Sequence, residues 1–194
     1  MTLSDEDLRR RAGRPRDPAC DAAILHAARD LFAEGGYAAV SIEGVAARAG
    51  VGKASIYRRY STKAELVVEA IRGGVDADDQ DLPDTGDLRA DLIRMMRSLL
   101  DRLRGNDAQL LTTFAVERFR NPDLALEFDR SVIGRKREHL RHLVNAAIAR
   151  GDLPADVDVD LIAESAPAFL WHHALYGLPM TDDFLERVFD LVLP

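Results

Sequence analysis

The sequence predicts an all-α fold: a small N-terminal three-helix unit built on a helix-turn-helix, then a larger helical bundle, about nine helices in all. Three observations predict it. Apolar residues recur at helical spacing from Ile24 almost to the C-terminus. No segment alternates apolar and polar residues with period two between turn signals. The periodicity breaks at glycine pairs, at Asn-Pro and at acidic or turn-rich stretches, and it restarts behind Asp, Ser, Thr or Asn in a capping position.

Residues 1–16 carry Arg9, Arg10, Arg11, Arg14 and Arg16, interrupted by Gly13 and Pro15, with no apolar face, and read as a flexible basic arm. Asp17 caps the first helix, Pro18 suits its first turn, and Ile24, Ala28, Leu31 and Phe32 share one face. Gly35-Gly36 ends it. Ser41 caps a second helix with inner residues Ile42, Val45, Ala46 and Ala49; the Glu of a capping box is missing from its third position. Gly50-Val51-Gly52 breaks the chain before a third helix, Lys53 to Tyr60, where Ile56 and Tyr60 lie four apart. Thr62 caps a fourth, with Glu65 placed to reach back, and Gly73-Gly74 weakens its end. Residues 76–86 are acidic and end in turn residues, either a linker or a frayed helix end and a loop. The expected divisions are 1–16, 17–75 and 76–194.

The remainder reads as helices over 87–104 and 107–119, then a long helix opened by Asn121-Pro122, bent at Gly134 and closed by Gly151. A helix from Asp158 or Asp160 to about Gly177 contains Pro167, which should kink it, and Thr181 caps the last one.

Composition narrows the function. The chain has 194 residues and a net charge of −7. Residues 1–60 are net +2 and residues 61–194 net −9, so a basic N-terminal segment is joined to an acidic body. The single cysteine, Cys20, excludes a disulfide framework and any four-cysteine zinc site. No apolar run approaches the ~20 residues that span a bilayer, and the charged N-terminus lacks an apolar signal core. A soluble cytoplasmic protein with no membrane partner is expected.

The segment 41–60 fits a helix-turn-helix residue by residue. Ala46 and Ala49 let two helices cross closely, Gly50 tolerates positive φ, and Val51 pins the turn to the core. The next helix then exposes Lys53, Ala54, Ser55 and Tyr57, a phosphate binder with short or hydroxyl-bearing neighbours.

The stretch from Ile24 to Ala70 resembles the tetracycline-repressor (TetR) family of bacterial transcriptional regulators. Leu31-Phe32, Gly36-Tyr37, Ser41, Ala49-Gly50-Val51, Lys53, Ile56-Tyr57, Tyr60, Lys63 and Leu66 match its pattern or are close replacements. Gly52, Ala54 and Arg59-Tyr60 depart from the usual serine, glycine and His-Phe, and Gly52 removes one hydroxyl from the phosphate contacts. The resemblance implies a three-helix DNA-binding domain leading into a fourth helix, an all-helical ligand-binding and dimerising body, and repression relieved by a small molecule. Its implied DNA-binding residues are Arg14 and Arg16 as a minor-groove arm, Ser41 and Lys63 at helix N-termini, and Lys53, Ala54, Ser55, Tyr57, Arg58 and Tyr60. It also implies a homodimer on a palindromic operator of double-stranded DNA.

Other chemistry is poorly supported. A phosphate loop fails at Ala47 and Ala54, no HExxH or GxSxG occurs, and neither a metal nor another cofactor is expected. In the body, Phe114, Phe128 and Trp171, with Arg118, His142, His172 and His173 as polar candidates, would line an effector cavity for a largely apolar small molecule. The last two helices are apolar on two sides. Ile162, Ala166, Phe169 and Leu170 on one, with Phe184, Leu185, Val188 and Phe189 on the other, are the expected dimer interface. Two competing readings are a helical enzyme or carrier with an incidental basic N-terminus, and an architectural DNA binder without an effector. An acidic body would repel DNA in the second.

Overall fold

The computed structural model describes residues 17–72 and 84–193. The basic arm with Arg14 and Arg16, and most of the acidic connection, lie outside the described residues. The described residues form ten α-helices: α1 (Pro18–Ala39), α2 (Ile42–Ala49), α3 (Lys53–Tyr57), α4 (Lys63–Arg72), α5 (Leu88–Arg104), α6 (Ala108–Arg120), α7 (Pro122–Phe128), α8 (Gly134–Arg150), α9 (Val159–Tyr176) and α10 (Phe184–Val192). A π turn, Asp129–Ile133, joins α7 to α8 as one rod, which makes nine rods among the described residues.

Local chemistry starts half of them. The Asp17, Ser41, Asp87 and Asp158 side chains each accept a backbone N–H from the first turn of the helix that follows. At α4, Thr62 Oγ1 accepts from Glu65 N at 3.0 Å, while the Glu65 carboxylate reaches back to the Ser61 N–H at 2.6 Å. Gly35 and Gly36 leave helical geometry, so the first regular helix stops there as expected, and a short further stretch to Ala39 follows across the kink. Asn121 stands at the N-cap of α7 ahead of Pro122 as expected, but its side chain makes no capping bond, and its Nδ2 donates to the Glu117 carbonyl at 2.8 Å. Two boundaries differ from expectation. The third helix closes at Tyr57, three residues early. Thr181 does not cap α10, which starts behind Asp183. The expected bend at Gly134 takes the form of the π turn just before it.

Packing joins the two halves. α1 packs on α2 and α4, and α6 and α7 of the body lean on α1 and α4. Ile24, Phe32, Val45, Ile56 and Leu66 are fully buried in the N-terminal unit, as are Leu92, Leu100, Leu124, Val144, Leu170 and Leu185 in the body. The Phe32 and Phe114 rings meet at 6.1 Å, and Phe114 meets Phe128 edge-on at 4.9 Å, so one apolar core crosses the boundary.

Candidate nucleic-acid interface and ligand cavity

The α2–turn–α3 unit is set by short-range geometry. Ser41 Oγ accepts the Gly44 N–H at 3.0 Å, and a Cβ at position 44 would lie only 3.0 Å from that oxygen. Gly50 is left-handed with φ 67°, and the Val51 N–H returns to the Ala46 carbonyl at 3.0 Å, which closes α2. Val51 is half-buried and Ile56 fully buried, so α3 is pinned by its inner face.

The outer face of α3 presents Lys53, Ala54, Tyr57 and Arg58 to solvent, with Ser55 half-buried among them. Tyr57 is 59% exposed, so its ring and hydroxyl stand free on this face. Lys53 Nζ donates to Glu43 Oε1 at 2.8 Å; this hydrogen bond and charge hold the ammonium above its ordinary pKa and the carboxyl below it. Arg58 Nη2 donates to Ser55 Oγ at 2.9 Å. Ser41 is exposed at the start of α2.

Two expected contacts are placed differently. Tyr60 is a core residue, because four-residue spacing from Ile56 turns it to the same inner face. Burial first, with the charge of Asp21 next, pushes its phenol up to about 12. Lys63 lies over the Tyr37 ring, 4.1 Å from its centroid, and is half-buried there. Burial lowers its pKa.

The body holds a cavity of about 370 Å³ walled by the end of α4 and by α5, α6, α7, the π turn, α8 and α9. Phe114, Arg118, Phe128 and Trp171 line it as expected. His142, His172 and His173 do not. His142 is exposed, with Nε2 3.3 Å from Asp84 Oδ2, since it sits two residues past inward-facing Leu140 and so on the far side of the helix. His172 is exposed against the Tyr176 ring, and His173 stacks edge-on Phe184 and meets the Pro179 carbonyl at 2.9 Å.

Sequence reasoning missed most of the cavity's cations: Arg72, Arg102, Lys136 and Arg137 also line it. One signal was available for Arg102, which falls three residues after the apolar Leu99 and hence on the inner stripe of α5. Its Nε donates to Asp107 Oδ2 at 3.0 Å and its Nη2 to the Ile71 carbonyl of α4 at 2.7 Å. The other Asp107 oxygen takes Arg29 of α1. Asp107 thereby ties the cavity wall to the N-terminal unit.

The expected dimer interface needs correction. Ile162, Ala166, Leu170, Phe184, Leu185, Val188 and Phe189 are all buried within the single chain, because α9 packs on α5, α6 and α8, and α10 covers α5. Of the eight, only Phe169 is exposed. The apolar side chains left outside on these two helices are Leu161, Phe169, Leu175, Tyr176 and Leu191. No metal-holding group of side chains occurs among the described residues, and none of their helices is long and apolar enough to cross a membrane.

Comparison with known proteins follows this division. The family model "Bacterial regulatory proteins, tetR family" matches residues 24–70, and "Tetracyclin repressor-like, C-terminal domain" matches residues 82–192. A DNA-binding transcriptional repressor TetR of Mycobacteroides abscessus is 34% identical over 182 residues, 89% of this chain and 90% of that protein. The regulator YdeS of Bacillus subtilis is 29% identical, covering 96% and 92%. Among solved structures, the TetR family regulator SCO0332 superposes with a TM-score of 0.66 at 27% identity, covering 89% and 96%. FadR of Bacillus subtilis, solved in complex with stearoyl-CoA, superposes at 0.68 with 18% identity, covering 89% and 97%, a likeness of fold alone.

Proposed function

The chain belongs to the tetracycline-repressor (TetR) family of bacterial transcriptional regulators, and from that premise we propose that it is a homodimeric cytoplasmic repressor that leaves a palindromic operator when a small molecule fills its cavity. One observation carries the reading. Ile71 and Arg72 of α4 line the cavity, while Leu66, Val67 and Ala70 of the same helix are buried in the core that supports α2 and α3. A ligand that displaces the wall therefore moves the helix behind the DNA-reading unit.

In this reading residues 17–75 bind DNA and residues 76–194 bind effector and partner. Arg14 and Arg16 form an arm in the minor groove. Ser41, Lys53, Ala54, Ser55, Tyr57 and Arg58 face the duplex, and Lys63 is held back by Tyr37. One helix-turn-helix covers too few base pairs for specificity, so two copies must be tied about one DNA turn apart. The exposed face of Leu161, Phe169, Tyr176 and Leu191 is the proposed tie. That the Bacillus subtilis FadR neighbour was solved with stearoyl-CoA supports a ligand role for a bundle of this shape. Selection of bound sequences from random duplex DNA tests the reading: an enriched inverted repeat is expected, and recovery of unenriched sequence would reject it.

A further inference from the structure

We infer that the cavity takes a compact apolar ligand carrying one anionic head group, and that Arg102 receives the head. The inference rests on the cavity being the effector site.

The walls are apolar for most of their area, with Met95, Met96, Leu99, Phe114, Leu140 and Trp171 among them. The charged residues on that lining are unequal in sign. Five are cations, Arg72, Arg102, Arg118, Lys136 and Arg137, against two anions, Asp129 and Glu164. Asp129 pairs with Arg118 at 2.8 Å, Glu164 with Arg137 at 3.3 Å and Arg72 with Glu69 at 3.5 Å, while the one Asp107 carboxylate is shared by Arg102 and Arg29. Two guanidinium groups on one carboxylate leave a positive excess at Arg102 beside an apolar wall, which attracts an anion and disfavours a cation, and the low dielectric of the wall strengthens the preference. A volume of about 370 Å³ is at the small end of ligand sites, which suits a body of medium length or one or two rings.

Arg102 is the cation whose capture has a consequence. Its side chain is 18% exposed, and its guanidinium holds Asp107 and the Ile71 carbonyl together. A planar guanidinium fork matches a carboxylate in bidentate geometry better than it matches two separate oxygens. A ligand carboxylate that takes this fork draws it from Asp107, which also holds Arg29 of α1, and from the end of α4. The bond to the Ile71 carbonyl lies between the reading unit and the body, and the Asp107 bond sits beside the Asp107–Arg29 pair that also joins them. A neutral molecule of the same shape fills the cavity and leaves them in place, so only the anion distinguishes the two states of the joint.

Trp171 is the chain's one tryptophan and lines the cavity, so its emission reports binding with no DNA present. The full-length protein is titrated with decanoate, decan-1-ol and decylamine, and with 4-phenylbutanoate against 4-phenylbutan-1-ol. At least one acid is expected to perturb Trp171 saturably, about tenfold more tightly than its alcohol, with the amine weakest. Arg102→Gln should lose that preference while leaving the alcohol unchanged. Asp107→Asn, which releases Arg102 without altering the lining, should tighten the acid about tenfold and leave the alcohol unchanged. Alcohols or amine binding as tightly as the acids, no acid binding at millimolar concentration, or an acid preference that survives Arg102→Gln would each overturn the inference. Since no operator enters these titrations, their failure is distinct from failure of the DNA selection.

Discussion

The backbone N–H of Tyr37 donates to Glu117 Oε2 at 3.3 Å, a bond between α1 and α6 across 80 positions of sequence. The neighbouring residue makes it possible. Gly36 has φ 67° and so turns the end of α1 toward α6. Asn121 Nδ2 steadies the same carboxylate oxygen at 3.1 Å, and the Tyr37 hydroxyl donates to Asp123 at 2.5 Å.

Gly36→Ala is therefore expected to be destabilising. With φ 67° and ψ −162° the backbone sits in a region open essentially to glycine alone, which costs a side chain ~1–3 kcal/mol, and a Cβ there would lie 3.2 Å from Glu117 Cδ. Thermal unfolding should drop by about 2–12 °C for a chain of this size. Gly52→Ala is the control, since a Cβ there meets nothing within 4 Å and φ is ordinary; its melting temperature should stay with the parent's.

Stability should fall at alkaline pH through two tyrosines. Burial raises Tyr60 to about 12 and, with the Asp123 hydrogen bond adding, raises Tyr37 further above its ordinary value. The unfolded chain loses these protons first, near pH 10, so the stabilisation is complete below pH 10 and is lost as pH climbs toward the folded values. Each tyrosine contributes a slope of ~1 kcal/mol per pH unit in that window. Urea unfolding at about pH 9 and about pH 11 measures it, and Tyr60→Phe should roughly halve the loss. An equal loss in that variant would place the titration elsewhere.

On DNA, Lys53→Ala should weaken binding to all sequences alike and lower the salt slope by about one, as a lost phosphate contact does. Its pair with Glu43 is exposed, so thermal stability should hold. Tyr57→Ala should instead change preference at particular base pairs by ~1–3 kcal/mol. Quantitative binding to the selected duplex and to its point variants separates the two effects. Uniform losses from Tyr57→Ala would remove the ring from base reading.

For the dimer, Tyr176→Glu with Leu191→Glu should give a folded monomer by sedimentation, with operator binding lost. Both side chains are 73% exposed in the single chain, so their replacement leaves its core intact. Leu185→Glu should unfold the protein, because a carboxylate at a fully buried site has no partner and costs several kcal/mol. A double variant that still sediments as a dimer would move the interface off this face.

The sequence by itself determined what depends on neighbours a few residues away. Asp17, Ser41 and Asp158 cap their helices through side-chain bonds spanning two or three residues, and Gly50 takes the left-handed turn that the spacing of 41–60 required. At Asn121 the position held while the side chain turned to Glu117 in place of a capping bond, and at Thr181 the logic failed because the helix starts behind Asp183. Tertiary structure alone decided which side of an apolar helix is inside. α9 and α10 carry apolar residues on two sides; the sequence expectation gave Leu170, Leu185 and Phe189 to a partner, and α5, α6 and α8 claim them for the chain's own core. It also decided the charge of the cavity. Arg72, Arg102, Lys136 and Arg137 come from three different helices, and only packing brings these residues to one cavity. Periodicity reports that a face is buried, because it repeats every 3.6 residues along one helix; it carries no information on which other helix supplies the opposite wall.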